Sequence, residues 1–584
     1  MHRPLIRGLA VAVAVTSAAT GISGTAFAES TPPSVVDAAR AAAFAHASAT
    51  GVARGDELRP QDVLTDPEGA RHVRFVRTHD GMPVLGGDLV VHLTDKLAYA
   101  GVTRAADHAV RPAGTARLTA AEARTKAAAA ADGTAGTAEL VVDARDGDAI
   151  LAYRVPVTGS DIAEGTGRST VVVDAVTGEI RSNTPDADEF LSPKLVETLR
   201  ERGERIDPVT GVASASPRSG LTGAGAAAAY PAPVVGTGKT LFAGQIKLST
   251  TQTARTRYLL KDPKRWNTET RDARGLEPTA FGQAKQFVTS NNVWGNGAVS
   301  NRASAAADAQ YGVAETLDFY RERFNRKGIR NDSRGARAIV HFGNKVGNAF
   351  WDPYCACMLY GDGDGEWFKK PLVVLDVTGH ELSHGVVDAT ARLEPTYVDG
   401  EGTQYGEPGS LNESLADIFG SGVEFQTKNA KNPPNYLIGE KLGLSQKFLR
   451  RLDKPSLDVL EQAVDYWSPA LYSTEVHAGS GVSSHAFYLL AEGSGRKTIG
   501  SVTYNSPTYD GQPVKGIGRA KALAIFYRAL TRYMVSTTDF HDARIATLKA
   551  AKDMYGATSV EYKTVSRAWA AVNVRVANTP AARH

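Results

Sequence analysis

The chain of 584 residues lacks an excess charge of either sign: 66 Lys and Arg stand against 63 Asp and Glu, a formal net charge of +3. That balance removes the electrostatic signature of a nucleic-acid binder or of a protein held on a membrane surface. Beyond the N-terminal segment, no run is long and apolar enough to cross a bilayer. No internal repeats stand out. Cysteine is nearly absent, with only Cys355 and Cys357. An extended i, i+2 pair can approach the Cα separation of a disulfide with some strain, and an exported chain permits one. A bridge and two buried thiols are both open readings. With no Cys or His close by in sequence, the pair does not read as a zinc module.

What is present begins with a leader. Residues 1–28 carry Arg3 and Arg7, an apolar core from Leu9 to Ala19, and a small-x-small site at Ala26-Phe27-Ala28. This is the pattern of a secretory signal peptide, so the expected product is exported and extracellular, with no membrane anchor.

Length calls for several domains, and 42% hydrophobic residues can fill their cores. Residues 29–185 read as α+β. Val73–His79 and Gly87–His92 alternate around an Asp80-Gly81 turn, Thr119–Ala131 is an Ala-rich helix, and strands follow at Leu140–Asp143, Ala149–Pro156 and Ser169–Asp174. A short helix near Leu195–Arg202 leads into Ser214–Pro233, rich in Ala, Gly, Ser and Pro, which reads as an exposed linker open to proteolysis. From about 235 the chain is strand-, turn- and Gly-rich up to Val374, apart from a helix over Ala303–Phe324, and mostly helical beyond Asp376. A front module, a weak linker and a site-bearing back half suggest a zymogen.

The chemistry starts at His380-Glu381-Leu-Ser-His384. Histidines at i and i+4 share one helix face and can reach one ion. Glu381 is swung about 100° away, poorly placed as a ligand but able to act as a general base beside the ion's water. Downstream, Asn412-Glu413-Ser-Leu-Ala-Asp417 puts Glu413 and Asp417 on one helix face. Glu413 can be the third ligand, and Asp417 can accept the second N–H of a ligating histidine. Ser410-x-x-Glu413 can equally be a capping box. With the two histidines, however, Glu413 leaves a fourth position open, as catalytic zinc requires.

These motifs, together with NAFWDPYCACMLYGDGDG, resemble the thermolysin-like neutral metallopeptidases across nearly all of 235–577. RFVRTHDGMPVLGGDLVVH and the strands at 139–182 resemble that family's propeptide. The resemblance implies an α+β, two-lobed peptidase with zinc in the cleft. Its parts would be propeptide modules at 29–115 and 116–185, a processing region at 186–235, lobes at 236–385 and 386–577, and a tail at 578–584. It implies zinc on His380, His384 and Glu413, Glu381 as the base, and Asp417 behind a ligand histidine. His477 would stabilise the oxyanion, oriented by Glu475. Asn348 and Ala349 would pair with substrate backbone, and Arg450 would hold the carbonyl beyond the scissile bond. Phe368, Val377, Ile438 and Leu449 would line an apolar pocket for the residue after the cut. Calcium would bind at Asp376, Glu424, Asn435 and Glu440. The implied partners are protein and peptide substrates and the chain's own propeptide, as inhibitor and folding aid, in a monomer.

The chain departs from the family's pattern in two places. Between His384 and Glu413 lie 28 residues, more than the family has, with 395–404 looking inserted. This leaves the oxyanion tyrosine open between Tyr405 and Tyr397. In the calcium set Asn435 replaces an Asp, and Leu437 replaces a further acid. Two other readings remain: a zinc-binding relative without turnover, which the Glu381–His477 set opposes, and a hydrolase of non-peptide substrates, which Asn348 and Arg450 oppose.

Overall fold

The computed structural model describes residues 34–577 except 109, 113, 146, 160–166, 193–194, 196–198, 200–229 and 400–401. The expected signal peptide, most of the Ser214–Pro233 linker, most of the Leu195–Arg202 helix and the 578–584 tail lie outside the described residues.

The front half is built by alternation. Helix Val35–Ala45 starts on Ser34, whose side chain accepts from the Asp37 amide. It places Ala39 and Ala43 in a core with Val73, Phe75, Leu89 and Val91. Those four come from the antiparallel strands Arg71–His79 and Leu89–Leu93, with His72 opposite His92. Between them runs a short strand that the alternation pattern hides. Met82 and Pro83 pair with the strand just left, while Val84 and Leu85 pair parallel with Val142 and Asp143. This crossing joins the two expected modules in one ten-stranded sheet. On the second module, helix Ala120–Ala130 opens with a Thr119–Glu122 capping box. It buries Ala123 and Ala127 with Val155, Val171 and Val173.

In the back half, strands Thr268–Asp272, Arg337–Val340 and Cys357–Tyr360 run parallel, and Ala349–Asp352 pairs antiparallel with the last of them. Cys355 and Cys357 are bridged across the turn between these two. Helices Glu407–Thr427, Val476–Glu492, Arg519–Tyr533, Phe540–Tyr555 and Val560–Ala571 form the C-terminal lobe. Helix Leu375–Asp388 is buried from Leu375 to Val387.

Helices Leu375–Asp388 and Glu407–Thr427 meet at glycines. A Cβ on Gly420 would lie 2.9 Å from the Asp376 carbonyl and 3.0 Å from the His380 nitrogen, so no side chain fits there. That close approach brings Glu413 beside the two histidines. The second of these helices begins at Glu407, with Gly406 as its N-cap. Ser410 is therefore inside the helix, and the capping-box reading of Ser410 and Glu413 does not hold.

Candidate metal centre and cleft

His380 Nε2 and His384 Nε2 lie 2.9 Å apart. Glu413 closes the group, with Oε2 3.4 Å from His380 Nε2 and Oε1 3.5 Å from His384 Nε2. Among the described residues, this set and Glu407–Asp539–His541 are the groups whose ligand atoms close up tightly enough to hold an ion. The outer nitrogens decide the tautomers. His380 Nδ1 donates to Asp417 Oδ1 at 2.7 Å, and His384 Nδ1 donates to Asn412 Oδ1 at 3.0 Å. Both Nε2 atoms then present lone pairs to one another and to a carboxylate. That donor set fits a dication, two neutral imidazoles and a carboxylate being a zinc-type ligand set. Burial pushes the His384 imidazole down to about 4, which keeps it neutral as a ligand must be. Burial opposes ionisation of Glu413, but His477 outweighs it and holds the carboxyl well below its usual range.

Glu381 lies beside this group, fully buried, with only the Trp351 backbone close enough to favour its charged form by hydrogen bonding. Burial, Glu413 and Asp188 together push its carboxyl well above the usual range. A bound dication would oppose that push. A buried carboxylate with its charged form disfavoured is suited to exchanging a proton with water.

His477 is fixed from one side. Its Nδ1 donates to Glu475 Oε1 at 2.6 Å. Glu475 is also the N-cap of the Val476–Glu492 helix, accepting from the amides of His477 and Ala478. Burial pushes the imidazole down, yet Glu413 and Glu475 outweigh it and raise His477 well above its ordinary value. The ring is therefore an imidazolium with Nε2–H free to donate.

That proton meets the chain itself. Residues Asp188 and Glu189 form an antiparallel strand along the sheet-edge strand Ala349–Asp352, with Asp188 opposite Trp351 and Glu189 opposite Phe350. His477 Nε2 donates to the Glu189 carbonyl at 3.0 Å. The Phe190 amide donates to the Ala349 carbonyl at 3.1 Å. Asn348 brackets Leu191, accepting from its amide at 3.1 Å and donating to its carbonyl at 3.2 Å. Arg450 Nη1 donates to the Phe190 carbonyl at 3.3 Å. The Phe190 ring is buried edge-on to His380 at 5.3 Å, with the Arg450 guanidinium 5.0 Å from its centre. It belongs to the same buried cluster as Phe368, Val377, Ile438 and Leu449, and a Cβ on Gly439 would fall 3.6 Å from its Cζ.

Arg450 is 3% exposed. It grips Asp417 through Nε at 2.9 Å and Nη2 at 3.0 Å, and reaches Glu461 at 3.4 Å. At either end of the inserted stretch, Tyr397 and Val398 pair antiparallel with Tyr405 and Gln404, and the two tyrosine rings stack. The Tyr405 hydroxyl donates to Asp399 at 2.9 Å. Its backbone bridges to Glu475, so it borders the His477 side of the cleft.

The acidic cluster gathers Asp376 from the start of the metal helix, Glu424 from the last turn of helix Glu407–Thr427, and Asn435 and Glu440 from the chain beyond it. Asp376 accepts from the Gly439 amide at 2.6 Å. Asn435 donates to Glu440 Oε1 at 2.9 Å, and Asn432 donates to Glu424 Oε1. The second oxygens of Glu424 and Glu440 are buried without partners. Burial and mutual repulsion push Glu424 well up and Glu440 to about 8, and burial raises Asp376. Orphaned carboxylate oxygens at this density fit a hard cation.

Sequence reading missed Asn412, Glu461 and the strand at 188–191. Asn412 directly precedes Glu413, which is a usable signal. Phe190-Leu191 offers only two apolar residues in a polar stretch.

Comparison with known families matches two models for the thermolysin metallopeptidase, its catalytic domain over residues 235–388 and its alpha-helical domain over 403–574. The fungalysin/thermolysin propeptide motif matches 56–99, and the peptidase propeptide and YPEB domain matches 117–183. The gap at 389–402 holds most of the inserted segment. The chain is 38% identical over 534 residues to a transglutaminase-activating metalloprotease of Streptomyces mobaraensis, covering 90% of this chain and 62% of that protein's length. It is 30% identical over 535 residues to the thermostable neutral protease NprT of Geobacillus stearothermophilus, covering 87% and 84%. A thermolysin of Alicyclobacillus acidocaldarius gives the same identity and coverage.

Proposed function

This chain belongs to the thermolysin family of metallopeptidases and carries that family's propeptide, and from that premise we propose that it is a secreted, zinc-dependent endopeptidase cutting on the amino side of large apolar residues. One observation carries the reading. The buried His380–His384–Glu413 group stands beside the buried Glu381 and a His477 held by Glu475, and a peptide strand lies across them. No helix among the described residues is long and apolar enough to cross a membrane. Export rests on the N-terminal signal pattern.

In this reading His380, His384 and Glu413 hold zinc, which supplies Lewis acidity toward the substrate carbonyl and lowers the pKa of water. Asp417 and Asn412 fix the tautomer and aim of the two imidazoles. Glu381 takes a proton from the attacking water and passes it to the leaving amine. The His477 Nε2–H, held toward the cleft by Glu475, stabilises the charge that grows on the carbonyl oxygen, with Tyr405 as the tyrosine assigned beside it. Asn348 and Ala349 hold the substrate backbone, and Arg450 grips the carbonyl after the cut. Asp376, Glu424, Asn435 and Glu440 hold a structural calcium. The pro-region blocks the cleft in cis.

Phe368, Val377, Ile438 and Leu449 are all apolar, so a pocket lined by them favours a large apolar side chain. Burying Leu, Phe or Ile there gains about 25 cal/mol per Å². Cuts mapped in a random peptide library are expected to place those residues directly after the scissile bond. A library in which Arg, Lys or Asp dominates that position refutes the reading.

A further inference from the structure

The strand crossing the cleft is in more than contact with it: backbone groups of Glu189, Phe190 and Leu191 meet the residues assigned above to substrate binding. The Glu189 carbonyl oxygen receives the His477 Nε2–H at 3.0 Å. One residue on, the Phe190 carbonyl receives Arg450 at 3.3 Å, and the Phe190 ring enters the buried apolar cluster beside His380. Leu191 is clamped on both its backbone groups by Asn348. The segment enters along the sheet edge in antiparallel register, the geometry by which extended peptides add to an exposed strand.

We propose that the Glu189–Phe190 peptide bond is a self-cleavage site, held in substrate register and cut by the same centre, well upstream of residue 235, where the match to the catalytic domain begins. The assignment rests on the peptidase reading above. In the step, the water oxygen bonds to the Glu189 carbonyl carbon and the C–N bond to Phe190 breaks. The water's two protons end on the Phe190 nitrogen as an ammonium, leaving a carboxylate on Glu189. Phe190 is the specificity anchor, since it carries the buried side chain of the segment nearest the metal group. Hydrolysis frees the strand from its covalent hold on the catalytic part. Residues 190–234 are then an N-terminal extension, removed by a separate event.

The test uses the full chain. Purified zymogen is incubated with zinc and calcium, and fragments are identified by mass spectrometry and N-terminal sequencing. A fragment beginning at Phe190 is expected, at a rate independent of protein concentration. Glu381→Gln should leave that bond intact. In this uncut variant, hydrogen exchange should show residues 188–191 protected, because the Phe190 and Leu191 amides are bonded to Ala349 and Asn348. Phe190→Asp should slow the Phe190 cut by about tenfold or more, and Phe190→Leu by less than that, as expected of an apolar pocket. An intact Glu189–Phe190 bond in a preparation that hydrolyses an added peptide overturns the cleavage assignment alone. So does free exchange of 188–191 in Glu381→Gln. Failure to hydrolyse both the bond and any added peptide, after pro-region removal by an external protease, overturns the functional reading beneath it.

Discussion

Arg450 and Asp417 form a fully buried, two-pronged ion pair at 2.9 and 3.0 Å, and Asp417 Oδ1 takes the His380 Nδ1 proton at the same time. One carboxylate thus ties the residue that grips the Phe190 carbonyl to a member of the metal group. Burial opposes ionisation of Asp417, and Arg450 and His380 outweigh it to keep the carboxyl low. Asp417→Ala should lower zinc affinity by about 10–100-fold through the loosened imidazole. It should also cost about 3–5 kcal/mol of stability, because Arg450 is left buried without its main partner. Zinc titration and thermal melting of the variant measure the two effects separately.

Ligand and base separate in a second experiment. Glu381→Gln should retain zinc and lose about 10²–10⁴-fold in peptidase rate. His384→Ala and Glu413→Ala should lose both zinc and rate, each leaving two protein ligands. Zinc content and rate are measured after an added protease has removed the pro-region. An active Glu381→Gln, or a Glu413→Ala that keeps metal and turnover, contradicts the proposed roles.

The acidic cluster around Glu424 gives a stability test. Asp376 and Glu424 are fully buried and Glu440 is half-buried, against their own repulsion. A cation bound only by the native state adds RT ln(1 + [L]/Kd), about 2.7 kcal/mol at a hundred times Kd. The processed enzyme should melt lower in a calcium-selective chelator while its zinc stays bound. An unchanged melting temperature removes calcium from this cluster.

Acid should loosen the pro-region. Asp66 lies in the docking surface, bound by Arg528 and by Arg532 Nε at 2.8 Å and paired with His72 Nε2 at 3.0 Å. Burial opposes its ionisation, but His72, Arg528 and Arg532 hold it far below the usual range. His92 contacts His72 at 2.8 Å and packs against the Tyr533 ring at 5.2 Å. Burial, His72, Lys549 and Arg74 push it well below its ordinary 6.5, with only Asp66 opposing. Docked His92 is therefore neutral, and a released His92 binds a proton once pH falls through about 6.5. Docking is full above that pH and weakens below it, by up to about tenfold per pH unit for one proton. Protonation of released Asp66 adds to the loss below its ordinary value of 3.8. Co-elution of the cut pro-region with the catalytic part, followed from pH 8 to about 4.5, should fall with acid, and His92→Gln should flatten the upper part of that fall.

The sequence by itself determined the local chemistry: a helix with His380 and His384 one turn apart, Glu381 turned aside, and Glu413 four residues from Asp417. Helical periodicity fixes those relations without reference to the rest of the chain. The sequence likewise marked Val73–His79 and Ser169–Asp174 as strands and Thr119–Ala131 as a helix, each within a residue or two of the element observed. Only the tertiary structure decided what meets what. The Gly379–Gly420 approach, which brings Glu413 to the histidines, depends on two helices far apart in sequence. Ser410 mimics a cap, yet the helix had already begun at Glu407, because propensity does not fix where tertiary packing starts a helix. The bridge between Cys355 and Cys357 needed the local backbone geometry to choose it over two thiols. The occupied cleft was the least legible feature of all. Backbone hydrogen bonds made by Asp188–Leu191 carry no side-chain signature, and the groups they meet lie more than 150 residues away.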